Sequence, residues 1–346
     1  MNKEFLKEML ETPSVSGNEI ALQKKVMAYM SECCDKIHHD NTGDVISILN
    51  PSSKAKVLLC GHIDEIGFLV TNITSDGMLK VTKAGGIHPI LYLGTHVQIM
   101  TKDTVLAGIV VTTAALEKSS AIGIEDISID IGAKSKEEAS SYVAIGDSVC
   151  AATSSKDLLN NHFCGRALDD RIGAFIILEA LKRAKELKAT CGIYAATTVG
   201  EETTMRGAYH CASYVKPSCA IIVDVTFASD YASISEYSSG RVDLDGGLVL
   251  CKSSMINTKL NEALTSIAKE LDMHVQWEVF AGKAGTDGDV VHFTNGGVPI
   301  ALISIPLRYM HSSIESASYQ DMEEIIAVLA EFLVRFDESF NFDPFL

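Results

Sequence analysis

The stretch TTVGEETTMRGA, residues 197–208, sets two carboxylates side by side, Glu201 and Glu202, after a run of small and β-branched residues. Adjacent acids on a solvated loop carry no chemistry by themselves, but other apolar runs of the chain end in a related way. KVLLC at 56–60 leads into Gly61-His62-Ile63-Asp64-Glu65, AIIV at 220–223 leads into Asp224, and PIALISIP at 299–306 leads into LRYMHSS, which holds His311. A fifth segment, GRALDDRIGAF, puts Asp169 and Asp170 at the start of a helical pattern. Aspartate there suits an N-cap and the helix dipole, and the same placement would hold a metal ligand rigidly. Two histidines and several carboxylates without thiolate form a donor set for Zn²⁺, Co²⁺ or Mn²⁺ in an open catalytic site. Two histidines and three carboxylates exceed the needs of one such ion. They suit two ions sharing one carboxylate, an arrangement used for hydrolysis.

Residues so far apart in the chain meet only if the elements carrying them converge. The four apolar runs KVLLCGH, CGIYAATTV, CAIIVDV and VPIALISI are bounded by polar residues, Gly or Pro, and are too continuously apolar for half-exposed strands. That is the pattern of strands in a helix-covered, mostly parallel sheet, where ligands bind beyond the carboxyl ends. Helical periodicity covers 3–11, 18–33, 171–187 and 320–336, so strands and helices alternate and the fold class is α/β. Between 69 and 160 the texture shifts to short alternating segments (MLKVTKA, THVQIM, VLAGIVV, DSVCAA) with one short helical stretch, SKEEASSY. This predicts a small β-rich domain, 69–160, inserted into a discontinuous catalytic domain formed by 1–68 and 161–346.

Composition bounds the reading. The 346 residues are 47% apolar and 21% charged, which fits a large buried core and excludes extensive disorder. A net charge of −16 argues against nucleic acid or an anionic membrane as partner. Nine scattered cysteines without a CxxC pair, no secretory leader and no membrane-length apolar run predict a soluble cytoplasmic protein with free thiols. AGKAGTDGD, residues 281–289, is glycine-rich but lacks a P-loop ending, and reads as a cleft-lining or plain loop. His88 and His96 read as structural or interfacial.

GHIDEIGFLV, ALDDRIGAF, GEETTMRGA, DVTFASD and IPLRYMHS together resemble, in order, the motifs of the M42 dinuclear metallo-aminopeptidases, the glutamyl aminopeptidase and TET peptidase group, some of whose members are labelled endoglucanases. The likeness runs from ETPSVSGNE to the His311 region. It implies that His62 and Asp224 bind one metal, Glu202 and His311 the other, and that Asp169 bridges. Glu201 would be the general base acting on a metal-bridging water. Asp64 would orient a ligand histidine or the base. The resemblance further implies two divalent ions per subunit, most simply Zn²⁺, with peptides bearing a free N-terminus as substrates. It also implies a PDZ-like or barrel-like dimerisation domain at the insertion, and homo-oligomers that can reach tetrahedral dodecamers. Gly200 stands where the family more often has Gln, and Thr203-Thr204 replace a Val-Gly-like pair, which bears on how the Glu201 loop is held. The competing readings are a two-metal carboxypeptidase or deacylase, and a non-catalytic assembly protein on the same fold. An endoglucanase reading is poor, because paired glycosidase acids would not be committed beside two histidines.

Overall fold

The structure is a computed structural model and describes residues 1–112, 122–231 and 235–345, with the side chains of 236 and 237 excepted. Part of the segment read above as the inserted domain, 113–121, therefore lies outside the described residues. Strands in chain order are β1 (Lys36–His39), β2 (Val45–Leu49), β3 (Lys56–His62), β4 (Gly67–Ile73), β5 (Leu79–Ala84), β6 (His96–Met100), β7 (Val105–Thr112), β8 (Ile127–Asp130) and β9 (Ser148–Ala151). They continue with β10 (Lys156–Asp157), β11 (His162–Gly165), β12 (Gly192–Thr198), β13 (Cys219–Phe227), β14 (Leu248–Lys252), β15 (Val275–Val279), β16 (Ile300–Leu307) and β17 (Glu315–Ser318).

Eight strands form one sheet in the order β1-β2-β12-β3-β13-β16-β14-β15. The four central strands β12, β3, β13 and β16 are mutually parallel, and they are the four apolar runs named from the sequence. Flanking pairs are antiparallel at β1-β2, β2-β12 and β14-β16, so the sheet is mixed and its parallel character is confined mainly to the centre. The flanks were missed from sequence. β1 is short and half-exposed, but LVLC in β14 was signal enough, being a continuous apolar run after Gly246-Gly247.

Helices cover both faces. On one face Lys3–Glu11, Ile20–Met30, Leu168–Glu186, Thr258–Glu270 and Tyr319–Arg335 pack through Leu6, Val26, Ile172, Phe175, Leu264 and Leu329 against alternate residues of the central strands. Each such fully buried aliphatic or aromatic side chain contributes about 1.5–3 kcal/mol relative to exposure. The other face is closed by Arg206–Val215 and the short helix Gly288–Val291 over Leu58, Ile222 and Leu302. Gly61 lets β3 lie against Leu168–Glu186, since a Cβ there would sit 2.6 Å from the Ala174 backbone nitrogen.

Strands β4 to β9 close an antiparallel barrel in the order β4-β5-β8-β7-β6-β9, with its own core of Phe68, Ile99, Val110 and Ile129. The short helix expected from SKEEASSY is Lys136–Ser140, capped by the Ser135 side chain, which accepts from the Glu138 N–H. Closure of this kind removes the open sheet edges, with β5 and β8 meeting through the pair Leu79 and Ile129. No helix among the described residues is long and apolar enough to cross a membrane.

Candidate metal centre

Strand ends bring the predicted residues together. His62 is the last residue of β3, in register with Thr198 at the end of β12, and Asp224 lies inside β13 opposite Ser304 of β16. The turn after β12 runs through Gly200 to Glu201 and Glu202, and the turn after β16 carries His311. Asp169 stands between the two histidines. His62 Nε2 is 3.1 Å from Asp169 Oδ1, and His311 Nε2 is 3.2 Å from Asp169 Oδ2. Two triads follow, His62 with Asp169 and Asp224, and Asp169 with Glu202 and His311, the ligand atoms of each lying within 4.8 Å of one another. Asp169 is common to both.

Asp169 and Asp170 divide the capping and ligand-like roles between them. Both have non-helical backbone angles, and the peptide between them is cis. Asp170 does the capping: its Oδ1 accepts from Gly173 N and its Oδ2 from His62 N. Asp169 makes no such backbone cap and turns its oxygens to His62 and His311.

Asp64 is fully buried and serves two partners. Its Oδ1 lies 3.6 Å from His62 Nδ1, while its carboxylate accepts from the N–H groups of Glu201 and Glu202 at 3.0 and 3.3 Å. The histidine and the two-glutamate turn therefore share one anchor. Sequence reasoning missed a second anchor, Glu315, whose oxygens accept from Asp169 N and His311 N at 3.2 and 2.9 Å. Glu315 lies in SIESAS, an unremarkable segment in sequence, and only its position on β17 reveals it. His311 itself has a left-handed backbone, φ 61°, so the hydrogen bond from its N–H holds a turn that most side chains avoid. The barrel also reaches the site. Gly86, just after β5, is so near His311 that a Cβ there would sit 2.5 Å from Nδ1, and one on Gly85 would sit 3.1 Å from Glu202 Oε2.

The loop departures have local explanations. Gly200 has φ 67°, and a side chain there would collide with the Arg206 guanidinium. Thr204 Oγ1 donates to Gly200 O, and the Thr203 hydroxyl lies 3.0 Å from that of Ser16. Behind the loop, Asp287 of the glycine-rich 281–289 segment accepts from Thr198 Oγ1 at 2.6 Å.

Electrostatically the centre is starved of positive charge. Burial, then neighbouring carboxylates, push Glu201, Glu202 and Asp224 well above the usual carboxylate range. Burial acts on Asp169 too, but hydrogen bonds from His311 and His62 outweigh it and hold that carboxyl low. Glu201 Oε1 and Glu202 Oε1 are buried without any hydrogen-bond partner. Buried oxygens left in this way are costly unless a cation or proton meets them. Two imidazoles, four carboxylates and two orphaned oxygens thus fit divalent cations, by their chemistry and by their lack of other partners. The site opens into a cavity of about 280 Å³.

The family profile described as M42 glutamyl aminopeptidase matches residues 43–328. A lysyl aminopeptidase of Pyrococcus furiosus is 31% identical over 351 residues, covering 99% of each chain. Among solved structures, a TET aminopeptidase from the marine sediment archaeon Thaumarchaeota archaeon SCGC AB-539-E09 superposes with TM-score 0.93 at 30% identity, covering 98% of this chain and 97% of that one. The Pyrococcus horikoshii TET1 peptidase, described as assembling into a tetrahedron or a large octahedral shell, gives 0.86 at 29% identity, covering 96% and 99%. Ordered motifs, fold and profile agree over most of the length, and the chain belongs to the M42 glutamyl aminopeptidase family of peptide hydrolases.

Proposed function

We propose that the protein is a dinuclear metal-dependent aminopeptidase that releases N-terminal residues from peptides. The observation that carries this reading is Asp169, one carboxylate set between two histidines, each of which has a further private carboxylate. His62 and Asp224 would hold one divalent cation, Glu202 and His311 the other, and Asp169 both, with zinc the simplest match and cobalt or manganese compatible with the same donors. When bound, such a pair supplies Lewis acidity toward the scissile carbonyl and makes a solvent molecule nucleophilic near neutral pH.

The chain's own residues do the rest. Glu201 is next in sequence to a ligand but keeps a free oxygen, so it can take the proton of the attacking water and return it to the departing amine. Burial raises the proton affinity of the Glu201 carboxyl above that of an exposed carboxylate, the direction a group needs if it is to hold the proton between the two transfers. Asp64 fixes the distance between base and ligand histidine through the three contacts described above. The β-rich segment 69–160 would form a dimerisation domain and the rest of the chain the catalytic one, in a homo-oligomer of the cytoplasm. Supporting this are the exposed Ile90 and Leu91 at the barrel, the assembly described for the Pyrococcus horikoshii relative, and nine free thiols.

Glu201→Gln tests the assignment of the base. Hydrolysis of aminoacyl-anilides should fall by roughly 10²–10⁴-fold, the usual contribution of a general base, while elemental analysis still finds the wild-type metal content. Near wild-type hydrolysis by a fully loaded variant would remove Glu201 from the mechanism.

A further inference from the structure

The cavity at the metal centre runs across one face of the sheet toward an acid that the hydrolytic chemistry does not use. Asp224 on β13 is in register with Ser304 on β16, Ser304 faces β14 at Val249, and β14 pairs with β15, where Glu278 stands beside Cys251. Three strand spacings of about 4.8 Å lie between β13 and β15, and Glu278 stands two residues beyond Gln276, the β15 partner of Val249. The Glu278 side chain crosses β14 to reach the Ser304 hydroxyl, next to Asp224 on the neighbouring strand. Leu302, Phe280 and Met310 line the same cavity.

Glu278 is only 1% exposed. Its Oε1 accepts from Ser304 Oγ at 2.5 Å, and its Oε2 meets no donor at hydrogen-bond geometry. Burial raises the Glu278 carboxyl, and the hydroxyls of Ser304 and Thr226 only partly offset this. No Lys or Arg occurs among the described residues that line the cavity. Bracing Ser304 occupies one oxygen of this cavity-lining carboxylate and leaves the other buried and unmatched, which is unfavourable until a donor meets it.

We infer that Glu278 closes the subsite for the side chain of the N-terminal residue and selects lysine or arginine there, a specificity that rests on the aminopeptidase reading above. The apolar wall takes the methylene stem, as long basic side chains bury their stems readily, and the unpaired Oε2 accepts from the ammonium or guanidinium. An acidic side chain would instead face Glu278 with no Lys or Arg to pair it. A leucine would leave the carboxylate unmatched.

The test is a panel of lysyl-, arginyl-, leucyl- and glutamyl-anilides on the metal-loaded full chain and on Glu278→Gln. Wild type should prefer Lys and Arg over Leu by at least about ten-fold in kcat/KM, with Glu poorest, and the variant should lose at least about ten-fold of the Lys/Leu ratio. Leucyl or glutamyl substrate cleaved as well as lysyl by wild type, or a ratio unmoved by the substitution, overturns the inference. Calorimetric binding of free L-lysine against L-norleucine separates the two claims. A lysine preference without hydrolysis of any anilide would retain the subsite and sink the aminopeptidase reading, whereas hydrolysis without basic preference would sink the subsite alone. If Glu278→Gln does not fold, the wild-type panel and the lysine–norleucine comparison still decide.

Discussion

At the scale of single residues, the site depends on acids with different jobs at adjacent positions. Asp169 faces the histidines while Asp170 caps the helix, and Asp64 anchors the turn while Glu65 does something else. Glu65 is buried between two guanidinium groups, accepting from Arg166 Nη1 and Arg171 Nη2 at 2.5 and 2.6 Å. Arg171 in turn donates to Met9 O, Leu10 O and Ser14 Oγ, tying the N-terminal segment under the metal centre. Glu65→Gln would leave two buried positive charges without their counter-ion. The expected cost is about 3–5 kcal/mol of stability, read from the denaturant midpoint of the metal-free protein. A shift below about 1 kcal/mol would assign the cluster to a solvated environment. The sequence made the clustering of these histidines and carboxylates legible because they recur after apolar runs. Residue type and position alone could not separate Asp169 from Asp170, because either suits a cap; the family resemblance did so, by implying Asp169 as the bridge. Glu315 had no local signal, since its partners are backbone groups contributed by distant segments.

At the scale of elements, the four parallel strands were legible from their continuous apolar runs, and they place the chemistry. The contribution of the barrel was not legible, because the approach of Gly85-Gly86 to Glu202 and His311 exists only after β5 has been folded against the catalytic sheet. Gly86→Ala should push His311 aside and weaken one cation position more than the other. Elemental analysis after dialysis should then find about one ion per subunit where wild type keeps two. Full retention of both ions would show that His311 can move without loss. Gly61→Ala is the contrasting change, forcing β3 from Leu168–Glu186. It should cost about 1–3 kcal/mol by overpacking, visible as a lower unfolding midpoint.

At the scale of the whole molecule, a net charge of −16 disfavours polyanionic partners, and a cation-poor acidic site would be relieved by divalent ions. Exposed apolar residues on the barrel suggest where copies meet. The double change Ile90→Asp with Leu91→Asp should therefore reduce the mass found by light scattering while leaving a folded subunit. An unchanged mass would move the interface elsewhere. Assembly could not be read from periodicity, since exposed apolar side chains on a barrel look the same in sequence as buried ones. The central claim, a two-metal aminopeptidase, is tested most directly by titrating the chelated protein with Zn²⁺ or Co²⁺ while following hydrolysis of a lysyl-anilide and its N-acetylated counterpart. Activity on the free amine should vanish on chelation and reach its full value only as the second ion per subunit binds, with the acetylated substrate left intact. Equal cleavage of both substrates, or full activity without metal, would contradict it.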